Sequence, residues 1–541
     1  MKYPIFTLIF LLSFSVFAQT DVDVVINTNE KYQTVEGFGA ALAYYENWLT
    51  AHPNKAEIYD VIFSELSLDI LRVRNAYDYD TTMIDRIAEF NNAAKNSLGH
   101  HIKILATSWG PPAYLKSNNN RNNGGSLKYT VNGSTVEFNY AGFADWWNKS
   151  LDEYNASGVY PAYISLQNEP DYKASWESCL FKPTETINSA DTIAGYNQAL
   201  EAVYNKIEQR DVKPKILGPE TIGIGYNTVQ NYINALNSSY IYGVAHHLYH
   251  GVDENNPWVS SYFNEVGNLQ EELPHFQTEY SRGDWFSLGG LMFKSFNDEN
   301  VVAYLYWDLI WDGSGLVNIE FPWDKNRWTT ENGYIKTKEF YAFKQYSAFI
   351  HPDWTRINCS NEDENIKTLA FINPALDSVS LVLVNRSETE NINVSISIDD
   401  FSFHKTAVYR TSENENCLAV NASDNSNLTL PKKSITTLQL TTGGETAAPD
   451  ICDSSNELVI YPNPVSEYVT IQFPANNTAY DVVAIFDGSG QLVEKQKINN
   501  SDNPTHNITI DCRGFRTGFY YFRIESTNGE RLSGKFIVQG D

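Results

Sequence analysis

The chain has 541 residues, which at roughly 100–200 residues per domain allows about two to four domains, each burying its own core. Apolar residues make up 42% of it and charged residues 19%, the balance of a folded protein rather than a disordered one. A formal charge of −27 repels nucleic acid and anionic lipid and excludes both as partners; neutral, hydroxyl-rich ligands suit the 34 Tyr, 28 Phe and 12 Trp better.

Lys2 precedes an apolar run from Ile5 to Phe17, and Val16-Phe17-Ala18 resembles a small-residue cleavage site. Residues 1–18 therefore read as a secretory signal peptide, too short to span a bilayer comfortably; a short membrane anchor is the rival reading. Five cysteines follow, none at C-x-x-C spacing, so no zinc site is expected. An oxidising compartment would permit the pairs Cys359–Cys417 and Cys452–Cys512, leaving Cys179 free.

From about residue 35 to 350, apolar β-rich runs alternate with helical patterns. The predicted strands are Val35–Ala40, Ile70–Asn75, Ile102–Trp109, Ala162–Glu169, Lys215–Glu220, Ile241–Tyr249, His275–Ser281 and Val301–Asp308. They are apolar nearly throughout, as strands covered on both faces should be. Helical spacing recurs between them, for example in Asp85–Ala94, Phe143–Leu151 and Ile193–Ile207. The fold class is α/β, a (β/α)8 TIM barrel, and the absence of G-x-G-x-x-G and Walker A motifs weakens the nucleotide-binding alternative.

Residues 351–441 change texture to short strands punctuated by Asn, Ser and Asp, an all-β side domain. Residues 19–34 precede the barrel and supply a strand that can pair with it. Residues 442–456 form a polar linker, and residues 457–541 a second module with sandwich-like alternation. Within that module the Tyr461-Pro-Asn-Pro start, the Thr517-Gly-Phe-Tyr-Tyr-Phe strand and the Lys535-Phe-Ile-Val end resemble the C-terminal sorting domain of type IX secretion substrates. The resemblance implies that the type IX secretion machinery is a partner, that the product is extracellular or surface-attached, and that the module is removed or used for attachment.

In a (β/α)8 barrel, side chains at the C-terminal strand ends face the active site. The fourth strand closes with Gln167-Asn-Glu-Pro, placing Glu169 at the rim, and the seventh with Thr278-Glu-Tyr-Ser, placing Glu279 there. Strands four and seven lie nearly opposite, so the two carboxylates can face each other over a cleft. Such a pair suits glycosidic cleavage, where one group protonates the departing oxygen and the other attacks the anomeric carbon or activates water. Asn168 is placed to bond a sugar 2-hydroxyl.

The motifs Val35-Glu-Gly-Phe-Gly-Ala, Leu71-Arg-Val-Arg-Asn, Ser108-Trp-Gly-Pro-Pro, Leu166-Gln-Asn-Glu-Pro-Asp-Tyr, His247-Leu-Tyr, Thr278-Glu and Tyr306-Trp resemble glycoside hydrolase family 30 across residues 30–440. The resemblance implies a retaining mechanism with Glu169 as general acid/base and Glu279 as nucleophile, and needs no cofactor. It implies that Arg74, Trp109, Asn168, His247, Tyr249 and Trp307 line the cleft; independently of it, Trp109, Trp307 and Trp311 read as sugar platforms from their rim positions. Charge from Arg74 and a hydrogen bond from Tyr249 would hold Glu279 ionised, while Glu279 and partial burial raise the pKa of Glu169.

Within the family the sequence looks most like the bacterial xylanases, many of which grip a glucuronic acid branch with an arginine after the eighth strand. Here Asp308-Leu-Ile-Trp-Asp-Gly-Ser-Gly has none, so xylan without a strict need for the branch is the expected polysaccharide partner, unless Lys325 or Arg327 folds back. A β-1,6-glucanase, a glucosylceramidase-like enzyme and a non-catalytic carbohydrate-binding surface protein are the rivals; a monomer is expected. His246 and His247 fall on opposite strand faces, so with His250 they are not read as a metal site. Trp146 and Trp147 read as helix-to-barrel packing.

Overall fold

The computed structural model describes residues 21–399, 404–420 and 427–441, then strand segments of a C-terminal unit between 459 and 538. Residues 1–18 and the 442–456 linker, with Cys452, lie outside the described residues. The chain divides into two compact units, Met1–Gly443 and Gly444–Asp541.

Eight parallel strands close into a barrel in chain order: Gly37–Leu42, Ile70–Arg74, Lys103–Thr107, Tyr163–Ser165, Lys215–Gly223, Gly243–His250, His275–Glu279 and Val301–Tyr306. Each overlaps a run expected to be a strand, and the eighth pairs back on the first through Ala303 and Gly37. Ile70, Leu105, Leu217, Phe276 and Leu305 form one buried cluster drawn from different strands, the filling of a closed barrel. Gly37 opens the first strand at φ +145°, where a Cβ would meet that of Asp69 at 2.4 Å.

The helices cover the outside. Helix Met83–Leu98 buries Met83, Ile87, Phe90 and Ala94, one face of a 3.6-residue repeat, and stops at Gly99 with φ +82°. Helix Tyr140–Ala156 starts where the Asn139 side chain accepts from Gly142 N, and it buries Phe143, Trp146, Trp147 and Leu151 against the barrel.

Strand Val22–Thr34 runs antiparallel to Thr355–Ser360 and parallel to Ile392–Ile398, joining a nine-stranded sheet otherwise built from residues 355–441. That sheet encloses its own core, including Val24, Ile26, Leu381, Val394 and Leu438. In the C-terminal unit, a three-stranded and a four-stranded antiparallel sheet bury Val469, Ile471, Val483, Ile485, Phe522 and Phe536 in one core.

The expected Cys359–Cys417 disulfide is not formed, and the Cys452–Cys512 pairing falls on Cys452, outside the described residues. Cys179, Cys359, Cys417 and Cys512 are all free thiols. Cys359 lies on strand Thr355–Ser360 and Cys417 on the edge strand Glu415–Ala419, five positions away in the same sheet. Counted along the sheet at about 4.8 Å per strand, that is roughly 24 Å.

Candidate active site

Glu279 ends the seventh barrel strand. Glu169 stands past the fourth, whose ladder already stops at Ser165, and it adopts a left-handed backbone with φ +46°. That conformation costs a non-glycine residue about 1 kcal/mol or more, and neighbouring strands hold it in place. Asn168 N donates to Ser108 O at 2.7 Å, and Glu169 N donates to Glu220 O at 3.0 Å.

One carboxylate oxygen of Glu169, one of Glu279 and a ring nitrogen of His247 all lie within 4.8 Å of one another. His247 Nδ1 is 3.1 Å from Oε1 of Glu169 and 3.9 Å from Oε1 of Glu279. Beneath them Arg72 forks three ways: Nε to Glu220 at 3.0 Å, Nη1 to Glu279 at 2.6 Å and Nη2 to Asn168 Oδ1 at 2.6 Å. Its guanidinium also lies 4.3 Å over the Trp109 ring.

The electrostatics follow from three buried carboxylates facing two cations. Burial alone would lower the His247 imidazole, but the Glu279 charge and hydrogen bonds to Glu169 and Glu220 raise it to about 9. Burial pushes Glu220 up, yet the Arg72 charge and His247 prevail and bring it down to about 2. Burial and the Glu169 charge raise Glu279 against the opposing pull of His247 and Arg72. Glu169, His247 and Glu279 could geometrically hold a cation, and Arg72 donates to Glu279 from beneath.

A cavity of about 490 Å³ opens above the pair, lined by Trp109, Asn168, Glu169, Tyr249, Glu279, Trp307 and Trp311 among the expected residues. Trp109 is only 2% exposed, so it forms a floor under the cavity rather than an open platform. Two expected lining residues sit behind the wall. His247 is fully buried, and Arg74 is clamped by Glu46 at 3.1 Å and Glu177 at 3.4 Å beneath the Tyr44 ring. The guanidinium that reaches Glu279 is therefore Arg72, one strand pleat deeper than Arg74. Lys325 and Arg327 do not line the cavity; they lie over Trp328 and Phe321. Its cationic lining residue, among the described residues, is Arg282, set 5.2 Å over the Tyr249 ring.

Sequence reasoning missed Arg72, Glu220, Tyr44, Tyr172, Trp176 and Arg282. Arg72 and Glu220 were visible as charges inside otherwise apolar strands, a pattern that burial makes costly unless the charges are paired. His246 faces the other way, 2.5 Å from Glu299 on the outside of the barrel. A larger cavity of about 1230 Å³, lined by Glu36, Tyr163 and Tyr242, opens at the opposite, N-terminal face and contains none of the site residues.

Residues 75–301 match the glycosyl hydrolase family 30 TIM-barrel domain, and residues 355–438 match that family's β-sandwich domain. The chain belongs to glycosyl hydrolase family 30. Residues 459–539 match the secretion system C-terminal sorting domain, which marks this family 30 protein for type IX secretion. Among curated proteins it is 23% identical over 473 residues to putative glucosylceramidase 1 of Caenorhabditis elegans, covering 77% of this chain and 83% of that one. It is also 23% identical over 411 residues to the glucuronoxylanase XynC of Bacillus subtilis, covering 73% and 85%. Among solved structures, a family 30 subfamily 8 xylanase from Clostridium acetobutylicum shares the fold with a TM-score of 0.59 and 21% identity, covering 77% of this chain and 99% of that one. Among the described residues, no helix of this family 30 protein is long and apolar enough to cross a membrane.

Proposed function

We propose that the protein is an exported, retaining endo-glycosidase acting on β-1,4-xylan, with Glu169 as general acid/base and Glu279 as nucleophile. The observation that carries this reading is the approach of one oxygen from each carboxylate to within 4.8 Å. Retaining enzymes hold their carboxyl groups about 5–5.5 Å apart, whereas inverting enzymes leave ~6.5–9.5 Å for a water.

Arg72 at 2.6 Å favours the ionised form of Glu279. That carboxylate attacks the anomeric carbon as Glu169 gives its proton to the departing oxygen, breaking the glycosidic bond and forming a glycosyl ester. Glu169 then takes a proton from water, which attacks the same carbon and frees Glu279. Asn168 Oδ1 is engaged by Arg72, which orients the amide nitrogen of this cavity-lining residue as a donor to the sugar 2-hydroxyl.

Substrate choice is supported by the likeness to xylanases and by a cavity lined mainly with aromatic rings. With Lys325 and Arg327 engaged elsewhere and Arg282 the cation at the wall, a uronate branch is accommodated without being required. Residues 1–18 serve as the signal peptide and the sorting domain delivers the monomer to the cell exterior. The likeness to a glucosylceramidase favours a second reading, a β-glycosidase for a glucosyl substrate. Reducing-sugar release from glucuronoxylan, unbranched xylan, β-1,6-glucan and glucosylceramide separates the readings. Proton NMR of the first anomer formed tests retention. Turnover confined to glucosyl substrates, or an inverted product, overturns the leading proposal.

A further inference from the structure

Beyond the cavity an aromatic ridge continues from Trp311, which lines the cavity wall. Trp311 lies 4.7 Å from Tyr45 by ring centroids, and Tyr45 lies 4.9 Å from Trp48. Trp48 in turn meets Phe321 at 5.6 Å and Trp323 at 6.0 Å. Two pieces of chain build the ridge: helix Glu46–Ala51 with the tyrosine before it, and the segment after the eighth barrel strand, which carries the small sheet Ile310–Trp311, Val317–Ile319 and Tyr334–Lys336. Trp323 stands outside the catalytic cavity and is 54% exposed. Core tryptophans of this chain such as Trp146 and Trp147 are nearly fully covered, so an uncovered indole next to the rings of Trp48 and Phe321 points to an occupant.

We propose that Tyr45, Trp48 and Trp323 form a distal binding track for successive sugar rings of a neutral β-linked polysaccharide whose nearer part occupies the cleft. Each step along the ridge is comparable with one pyranose ring, and aromatic faces hold sugar rings without charge. On the opposite rim, after the fourth strand, Tyr172 and Trp176 pair at 6.4 Å and are 36% and 51% exposed. A chain crossing from one aromatic pair to the other passes over Glu169 and Glu279, which makes the enzyme endo-acting. The inference rests on the polysaccharide reading of the cleft and adds the direction in which the chain leaves it.

The test uses the full-length enzyme with Trp323→Ala and Trp323→Phe, together with binding by Glu279→Gln and Glu279→Gln/Trp323→Ala in native gels containing soluble xylan, β-1,6-glucan or β-1,3-glucan. The expected result is a five- to tenfold rise in KM on polymeric xylan for Trp323→Ala with kcat held, recovery in Trp323→Phe, and less than a twofold change on an aryl xylobioside. The double variant should lose most of the gel retardation that Glu279→Gln shows. Equal retardation of the two, or an equal loss on polymer and short substrate, overturns the track alone. Absence of retardation of Glu279→Gln by all three polymers overturns the polysaccharide reading and the track with it.

Discussion

Nη1 of Arg72 donates to Oε2 of Glu279 at 2.6 Å, with both side chains buried at the heart of the barrel. A guanidinium there is the counter-charge that lets a carboxylate sit ionised in a dry site, and its other nitrogens fix Glu220 and Asn168 at the same time. Replacing it by lysine keeps the charge but cannot fill three directions at once. Arg72→Lys should lower kcat on xylan by about 100-fold or more, and Arg72→Met, which strands two buried carboxylates, should cost about 3–5 kcal/mol of stability. Paired kinetics and denaturant melts check both; wild-type values in Arg72→Lys would remove the positioning role.

The two glutamates should respond differently to removal. Glu279→Gln should leave less than about one-thousandth of the activity, while Glu169→Ala should retain turnover on aryl glycosides whose leaving group needs no proton. Azide added to Glu169→Ala should restore rate and give a glycosyl azide of retained configuration. Near-normal turnover in Glu279→Gln would end the assignment.

His247 carries a pH signature. Its folded value of about 9 exceeds the ordinary 6.5, so the stability it contributes is complete below pH 6.5 and is lost as pH rises through 9. Glu279, raised as well, acts in the same sense. Urea midpoints should therefore fall between pH 6.5 and 9, and His247→Gln should flatten that slope. An unchanged slope in the variant would place the dependence elsewhere.

Arg282 is the guanidinium available to an acidic branch in the cleft. Arg282→Ala should lower kcat/KM on glucuronoxylan by up to about tenfold while leaving unbranched xylan within twofold, as expected of one exposed charge contact. Equal losses on both polymers would show that the arginine supports the wall rather than reading the branch.

Alkylation of the denatured, unreduced protein should label Cys179, Cys359, Cys417 and Cys512, each as a single thiol by mass spectrometry. Protection of Cys359 together with Cys417 would require the sheet order around them to be redrawn.

Local pattern was enough for much of this molecule. Both-sided apolar runs at regular spacing announced eight barrel strands, period-2 alternation separated His246 from His247, and Glu169 and Glu279 stood out as carboxylates at strand ends. What alternation cannot supply is depth. Arg72 and Arg74 share one face of one strand, and only the stagger of a closed barrel puts the first against Glu279 and the second against Glu46 and Glu177. Glu220 joined the site for the same reason, through strands brought side by side across the fold, and Cys359 and Cys417 were parted by four intervening strands whose order no spacing in the chain reveals. Sequence thus determined which residues lie on which face of each element; the meeting of faces, and with it the charge balance around the two glutamates, is a property of closure and was decided by the tertiary structure.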